Sequence, residues 1–171
     1  MSNSQIFFVR PYLSYNFTPN FQLGLGQEYH VSWTYNENSE NKVKSNEYRT
    51  TLQGMLFQKV DRVTIQHRYR YEFRFLDQKG NQRTRYRIQL NILVTNEKIK
   101  EGVLFTIVGG ELLVDTQKEL KLSQTRLYAM VGYQFTNSLN FQFGYMNISF
   151  PSQPSNKRLQ FFLTQKLFLY D

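Results

Sequence analysis

Two groups of residues have types and spacing that could do chemistry. The larger is a ladder of charges: Arg68, Arg70, Glu72 and Arg74 in one run, then Arg83, Arg85 and Arg87 in the next. Every second residue of an extended chain lies on the same face, so each run gathers its charges on one side. An antiparallel pairing centred near Lys79 places Glu72 opposite Arg85 or Arg87, with Arg70 and Arg74 on the same face. A carboxylate among several guanidiniums makes charge-assisted, often bidentate hydrogen bonds. Such a ladder either draws in anions or fills a narrow interior and ties its strands together. Glu28, Glu47, Glu111 and Asp115 could extend it. The smaller group is Glu28, His30 and Ser32, which share a polar face, with Ser14 on the preceding strand. A Ser–His–Glu relay is conceivable there, although alternation alone produces this spacing. His67 falls on the opposite, apolar side of its strand. With two His on opposite faces and no Cys, a metal centre is not expected. Without a glycine-rich phosphate loop, neither is a nucleotide cofactor.

The elements that must position these residues follow from the same alternation. Val63–Phe75 places Val63, Ile65, His67, Tyr69, Tyr71, Phe73 and Phe75 against Thr64, Gln66, Arg68, Arg70, Glu72 and Arg74. After a polar break at Asp77–Gln82 the pattern returns through Val94. Period-two alternation over about a dozen residues predicts a strand with one apolar face. The same reading gives strands at Phe7–Phe17, Phe21–Tyr35, Glu47–Phe57, Val103–Asp115, Ser123–Phe135, Leu139–Phe150 and Leu159–Tyr170, about nine in all and no helix. Gly109-Gly110 suggests a bulge that could switch the register. Arg10–Gly26 and Arg126–Gly144 share a pattern, which suggests a repeated hairpin.

The predicted connections run short, then long, in turn: Thr18–Asn20, Gln58–Arg62, Thr95–Gly102 and Thr136–Ser138 against the polar stretches Asn36–Asn46, Leu76–Gln82, Thr116–Leu122 and Pro151–Lys157. Up-and-down topology sends alternate connections to opposite ends, so one end would carry turns and the other loops. Transmembrane β-barrels have that asymmetry, along with aromatic girdles. Aromatics here gather near strand ends (Tyr15, Phe17, Phe21, Tyr29, Trp33, Tyr35, Phe73, Phe75, Tyr133, Phe135). Strands of about 11–15 residues also exceed the globular norm of about 5–6. The expected fold is therefore an all-β, antiparallel, up-and-down transmembrane barrel of about nine or ten strands, a single domain over residues 1–171. A soluble, lipocalin-like barrel that binds its ligand in an apolar interior is the alternative. Alternation alone does not say which face points inward.

The bulk composition agrees with both forms. Aromatics make up 16% of the 171 residues, yet mean hydropathy is −0.54, as strands with one polar face require. No apolar run reaches the roughly 18 residues of a spanning helix, and Met1–Gln5 lacks the features of a signal peptide. A net charge of +8 raises nucleic acid as a partner. Arg and Tyr, however, alternate to opposite sides of each strand, so they cannot form one stacking platform, and no nucleic-acid partner is expected.

Ile65-Gln66-His67-Arg68-Tyr69-Arg70-Tyr71-Glu72-Phe73-Arg74, followed by Arg83-Thr84-Arg85-Tyr86-Arg87, resembles the core pattern of a domain-of-unknown-function family of Gram-negative outer-membrane β-barrels. Gly110-Glu111, Thr125-Arg126-Leu127-Tyr128 and Gly132-Tyr133 are similar to its downstream pieces. The resemblance implies a cell-outer-membrane location, contact with outer-membrane lipid, a signal peptide and an extra first strand that this chain does not show. It implies no activity. The role expected is a structural barrel or a passage for small anionic solutes. A lipid-binding or lipid-modifying enzyme built on His30, Ser32 and Glu28 is the runner-up.

Overall fold

The structure, a computed structural model, describes residues 5–35, 42–77 and 79–167. Among them the chain forms ten strands and no helix: β1 (Gln5–Val9), β2 (Tyr12–Thr18), β3 (Phe21–Tyr35), β4 (Lys42–Val60), β5 (Val63–Leu76), β6 (Lys79–Leu93), β7 (Leu104–Asp115), β8 (Lys121–Gln134), β9 (Leu139–Phe150) and β10 (Gln153–Gln165). They make one sheet in the order β1-β3-β4-β5-β6-β7-β8-β9-β10, with β2 also on β3. From β3 onward each strand lies beside its sequence neighbour, as expected of an up-and-down meander.

The predicted strand Phe7–Phe17 is divided. β1 pairs with the far half of β3 (Val9 opposite Tyr29) and β2 with the near half (Tyr12 opposite Gly26). Pro11 lies between them. It has no N–H to give the ladder, but its carbonyl still accepts from the Gln27 amide at 3.2 Å. The pairing therefore resumes in unchanged register.

Several predicted loops are strand. Lys79–Gln82 belongs to β6, and the chain reverses at Asp77, whose φ is 43°. Two bonds hold this turn: the Asp77 carboxylate accepts from Ser45 Oγ at 2.6 Å and from the Asn46 amide at 3.1 Å. They hold that carboxyl below its usual range. Gln153–Asn156 lies within β10, where a register shift accommodates Pro154 against β9. Lys42–Asn46 is the start of β4; the rest of the predicted loop, 36–41, lies outside the described residues, as do Phe168, Leu169 and Tyr170. In each case polar side chains pointed to a loop, whereas a ladder is built from backbone groups and can extend past its apolar residues. The predicted alternation of short and long connections disappears with these changes. The long connection from β6 to β7, 94–103, shares its predicted end with the tight turn at Asp61-Arg62. Nor does Gly109-Gly110 switch faces. Phe105, Ile107, Glu111 and Leu113 are all buried, while Val108 and Leu112 are exposed, so one alternation runs through β7.

The chain falls into two compact units. The first comprises Met1–Met55, Tyr69–Arg85 and Val114–Lys121; the second comprises Leu56–Arg68, Tyr86–Leu113 and Leu122–Asp171. In the first, the buried side chains are mostly polar: Glu28, Glu47, Thr51, Arg70, Glu72 and Arg85, with Val31 the one buried hydrophobic residue among those described. Leu13, Tyr15 and Phe17 are exposed. In the second, Val103, Phe105, Ile107, Tyr128, Met130 and Ile148 are buried beside Glu111, Gln134 and Asn140, while Leu127, Val131, Leu159, Phe161 and Leu163 are exposed. Tyr133, Phe143 and Tyr145 also face outward, and Phe161 packs on Phe143 with ring centroids 5.0 Å apart.

Candidate functional site: buried arginine–glutamate clusters

In the first unit three carboxylates pair with five arginines, and a sixth, Arg70, lies beside them. Glu72, 0% exposed, accepts from Arg83 Nε at 2.9 Å and Nη2 at 2.5 Å on one oxygen, and from Arg85 Nη1 at 2.7 Å on the other. The hairpin reverses before the expected centre at Lys79, so Arg83 takes the place predicted for Arg87. Glu47 receives a bidentate pair from Arg49, 2.7 Å from Nε and 2.8 Å from Nη2, and a further bond from Arg74 Nε. Glu28 is met by Arg10 Nε at 2.9 Å, Arg49 Nη1 at 3.5 Å and the Tyr12 hydroxyl at 3.2 Å. Arg49 therefore bridges Glu28 and Glu47. Arg70 donates to Gln53 Oε1 at 2.7 Å and lies over the Tyr12 ring, 5.3 Å from its centroid.

The second unit has a sparser version. Glu111 accepts from Arg68 Nη2 at 2.7 Å and Arg126 Nη1 at 3.3 Å. Arg87 donates to Gln66, and the Tyr128 hydroxyl donates to Gln89 Oε1 at 2.9 Å.

These contacts sort the predicted residues. Arg68, Arg70, Glu72, Arg74, Arg83, Arg85, Arg87 and Glu111 all take part in buried or half-buried polar contacts. Glu47 and Glu28 anchor clusters of their own, and Asp115 joins no ion pair among the described residues. Arg10, Arg49 and Arg126 escaped the sequence reading. For Arg49 and Arg126 the signal was spacing: Glu47-x-Arg49 and Gln124-x-Arg126 each put two polar residues on one face of a strand, whereas Arg10 meets Glu28 across strands. The Arg126 Nε bond to Gln124 Oε1 is 2.8 Å long. The rule that Arg and Tyr face apart also needs amending. It holds within β5, where Tyr69 is exposed and Arg70 buried, but Tyr12 reaches Arg70 from another strand.

The Ser–His–Glu relay is half assembled. His30 Nε2 lies 3.0 Å from Glu28 Oε2, and its ring stacks on Phe8 at 5.4 Å. No hydrogen bond joins Ser32 to His30 among the described residues. Ser14 sits opposite Gly24 on β3, six residues from His30, or about 20 Å along a strand. Glu28 is already engaged by two guanidiniums, so it is an ion-pair partner more than an orienter for a base. His67 is on the apolar face, as predicted, the face that exposes Tyr69 and Phe73, with Nδ1 2.9 Å from the Tyr86 hydroxyl.

What the clusters can do follows from their charge. Six guanidiniums against three carboxylates leave an excess of positive charge in the first unit, and three against one in the second. Each carboxylate is held on both oxygens, which fixes the arginines in place and leaves a positive field around them.

A search of curated proteins and a search of solved structures returned no match. A family model matches residues 1–159, and the chain accordingly belongs to the family described as Protein of unknown function (DUF2490).

Proposed function

We propose that this chain is a single transmembrane β-barrel domain of the outer-membrane type, resident in the outer membrane of a Gram-negative cell, with a positively charged interior that admits small anionic solutes. One observation carries the reading: the polarity of the strands is inverted relative to a water-soluble sheet. Glu72 is 0% exposed and Glu28 3%, whereas Leu13 is 80% exposed, Leu163 72% and Phe161 65%. Burying an ion costs several kcal/mol even when it is paired, and exposing a large apolar side chain to water forfeits about 1.5–3 kcal/mol. A chain that does both, across the buried face of the first unit and beside an apolar cluster in the second, is suited to hydrocarbon on the outside and polar groups within. A lipocalin-like ligand binder requires the opposite arrangement. A lipid-modifying activity at His30 is disfavoured by the missing Ser32 contact. The partners of this reading are outer-membrane lipid on the apolar face and small anions within.

The test is size exclusion of the purified chain, in buffer alone and in detergent micelles. Aggregation in buffer, with a β-rich species in detergent whose gel mobility changes on heating, is the expected outcome. A monodisperse β-rich monomer in plain buffer would overturn the membrane reading.

A further inference from the structure

The second unit contains a half-open cavity of about 550 Å³, within the range of about 300–1,000 Å³ typical of small-molecule sites. Its apolar wall includes Phe105, Ile107, Met130 and Phe162, and both of its charged lining residues, Lys59 and Arg87, are cations. The rest of the lining adds Thr, Asn and Gln side chains and two further aliphatic residues; no Asp or Glu is present. Phe105, Ile107 and Met130 also belong with Tyr128 to the buried apolar cluster of this unit.

That cluster is unusual for its setting. The buried face of the first unit is a mesh of ion pairs, whereas this one changes to hydrocarbon on β7 and β8. Glycines make the wall possible. A Cβ on Gly132 would lie 2.2 Å from the Phe105 ring, and one on Gly144 would lie 2.2 Å from Met130 Cγ. Phe105 and Met130 thus pack against bare backbone. An interior that only had to hold its strands together could have continued the arginine–glutamate pattern. A passage for small hydrated anions gains nothing from a phenylalanine and a methionine seated on glycine.

We infer that this cavity binds a single-chain amphiphile with an anionic head. The acyl chain lies against Phe105, Ile107 and Met130, and the head is held by Arg87 and Lys59. Arg87 donates to Gln66 and, with five N–H groups on its guanidinium, has the capacity to bind a carboxylate or phosphate oxygen as well. A free fatty acid and a phosphate-headed lipid share this chemistry. The site does not rest on the membrane reading, since cavity and cations belong to one unit.

Four methionines make the test direct. The chain, labelled with ¹³C at its methionine methyls and held in nanodiscs of zwitterionic lipid, is titrated with decanoate, decyl phosphate and decanol. Met130 lines the cavity and Met146 packs against its wall, whereas Met55 does not line it. The Met130 signal should shift and saturate with decanoate or decyl phosphate while Met55 stays still; the tighter of the two identifies the source. The Lys59→Gln/Arg87→Gln double variant, its unliganded methionine spectrum showing that it is folded, should bind about tenfold more weakly, and decanol should bind the parent as weakly. Met130 and Met55 shifting together without saturation would mean mere partitioning and would overturn the site. Decanol binding as tightly as decanoate, or a double variant that binds like the parent, would overturn recognition of the head. If the chain proves monodisperse in buffer, the same titration is run without nanodiscs, so the two readings fail separately.

Discussion

Glu72 is the residue on which the first cluster turns. Both oxygens are occupied, Arg83 and Arg85 flank it, and water does not reach it. Glu72→Ala leaves two guanidiniums facing each other with no counter-charge. Unpairing a buried ion typically costs about 3–5 kcal/mol, and that loss is expected in urea unfolding of the folded chain. The triple variant Glu72→Leu/Arg83→Met/Arg85→Met removes the charges together and should recover most of the loss, because a buried ion pair contributes little beyond an apolar replacement of similar volume. If the triple variant were as unstable as Glu72→Ala, the cluster would instead contribute net stability of its own.

At the scale of the strand, side-chain size is matched across the ladder. Tyr12 packs on Gly26, Tyr128 on Gly109, and Phe105 on Gly132. Gly132→Ala forces a methyl into the Phe105 ring and should cost about 1–3 kcal/mol. Gly54→Ala meets only Leu23 Cδ2, at 3.6 Å, and should be neutral or stabilising by up to about 1 kcal/mol. Equal losses at both positions, by the same urea titration, would show that strand glycine rather than the seated ring is responsible. These pairings explain what the sequence did and did not reveal. Alternation gave the strands and the membership of each face, because period two is imposed by the backbone itself. It did not say which face was buried; both faces of Val63–Phe75 are dense with large side chains, and only the neighbouring strands show that the arginines are enclosed. Strand ends were misread wherever polar residues continued a ladder, as at Lys79–Gln82 and Gln153–Asn156. Cross-strand partners such as Arg10 with Glu28 depend on registers that a single sequence does not specify. Of the likeness between Arg10–Gly26 and Arg126–Gly144, the matching tyrosines pack differently: Tyr12 lies on the glycine that closes its own hairpin, Gly26, and Tyr128 on Gly109.

For the molecule as a whole, the excess of buried arginine sets a sign. Reconstituted in planar bilayers, the chain is expected to pass anions in preference to cations, and Arg70→Ala and Arg87→Ala should each move the reversal potential toward cations. No conductance at all would remove the passage and leave a filled, structural interior. The placement of polar and apolar residues bears also on how this chain stores heat. The large heat-capacity increment of ordinary unfolding comes from apolar groups newly exposed to water, and exposure of polar groups subtracts from it. In the first unit the folded state withdraws arginine and glutamate and presents leucine, tyrosine and phenylalanine. Burial in that unit therefore contributes a small increment, and the apolar cluster of the second unit supplies the larger share. In the membrane reading proposed above, a further share comes from the amphiphile on the outer face, and it should change with the chain length of that amphiphile while the protein stays the same.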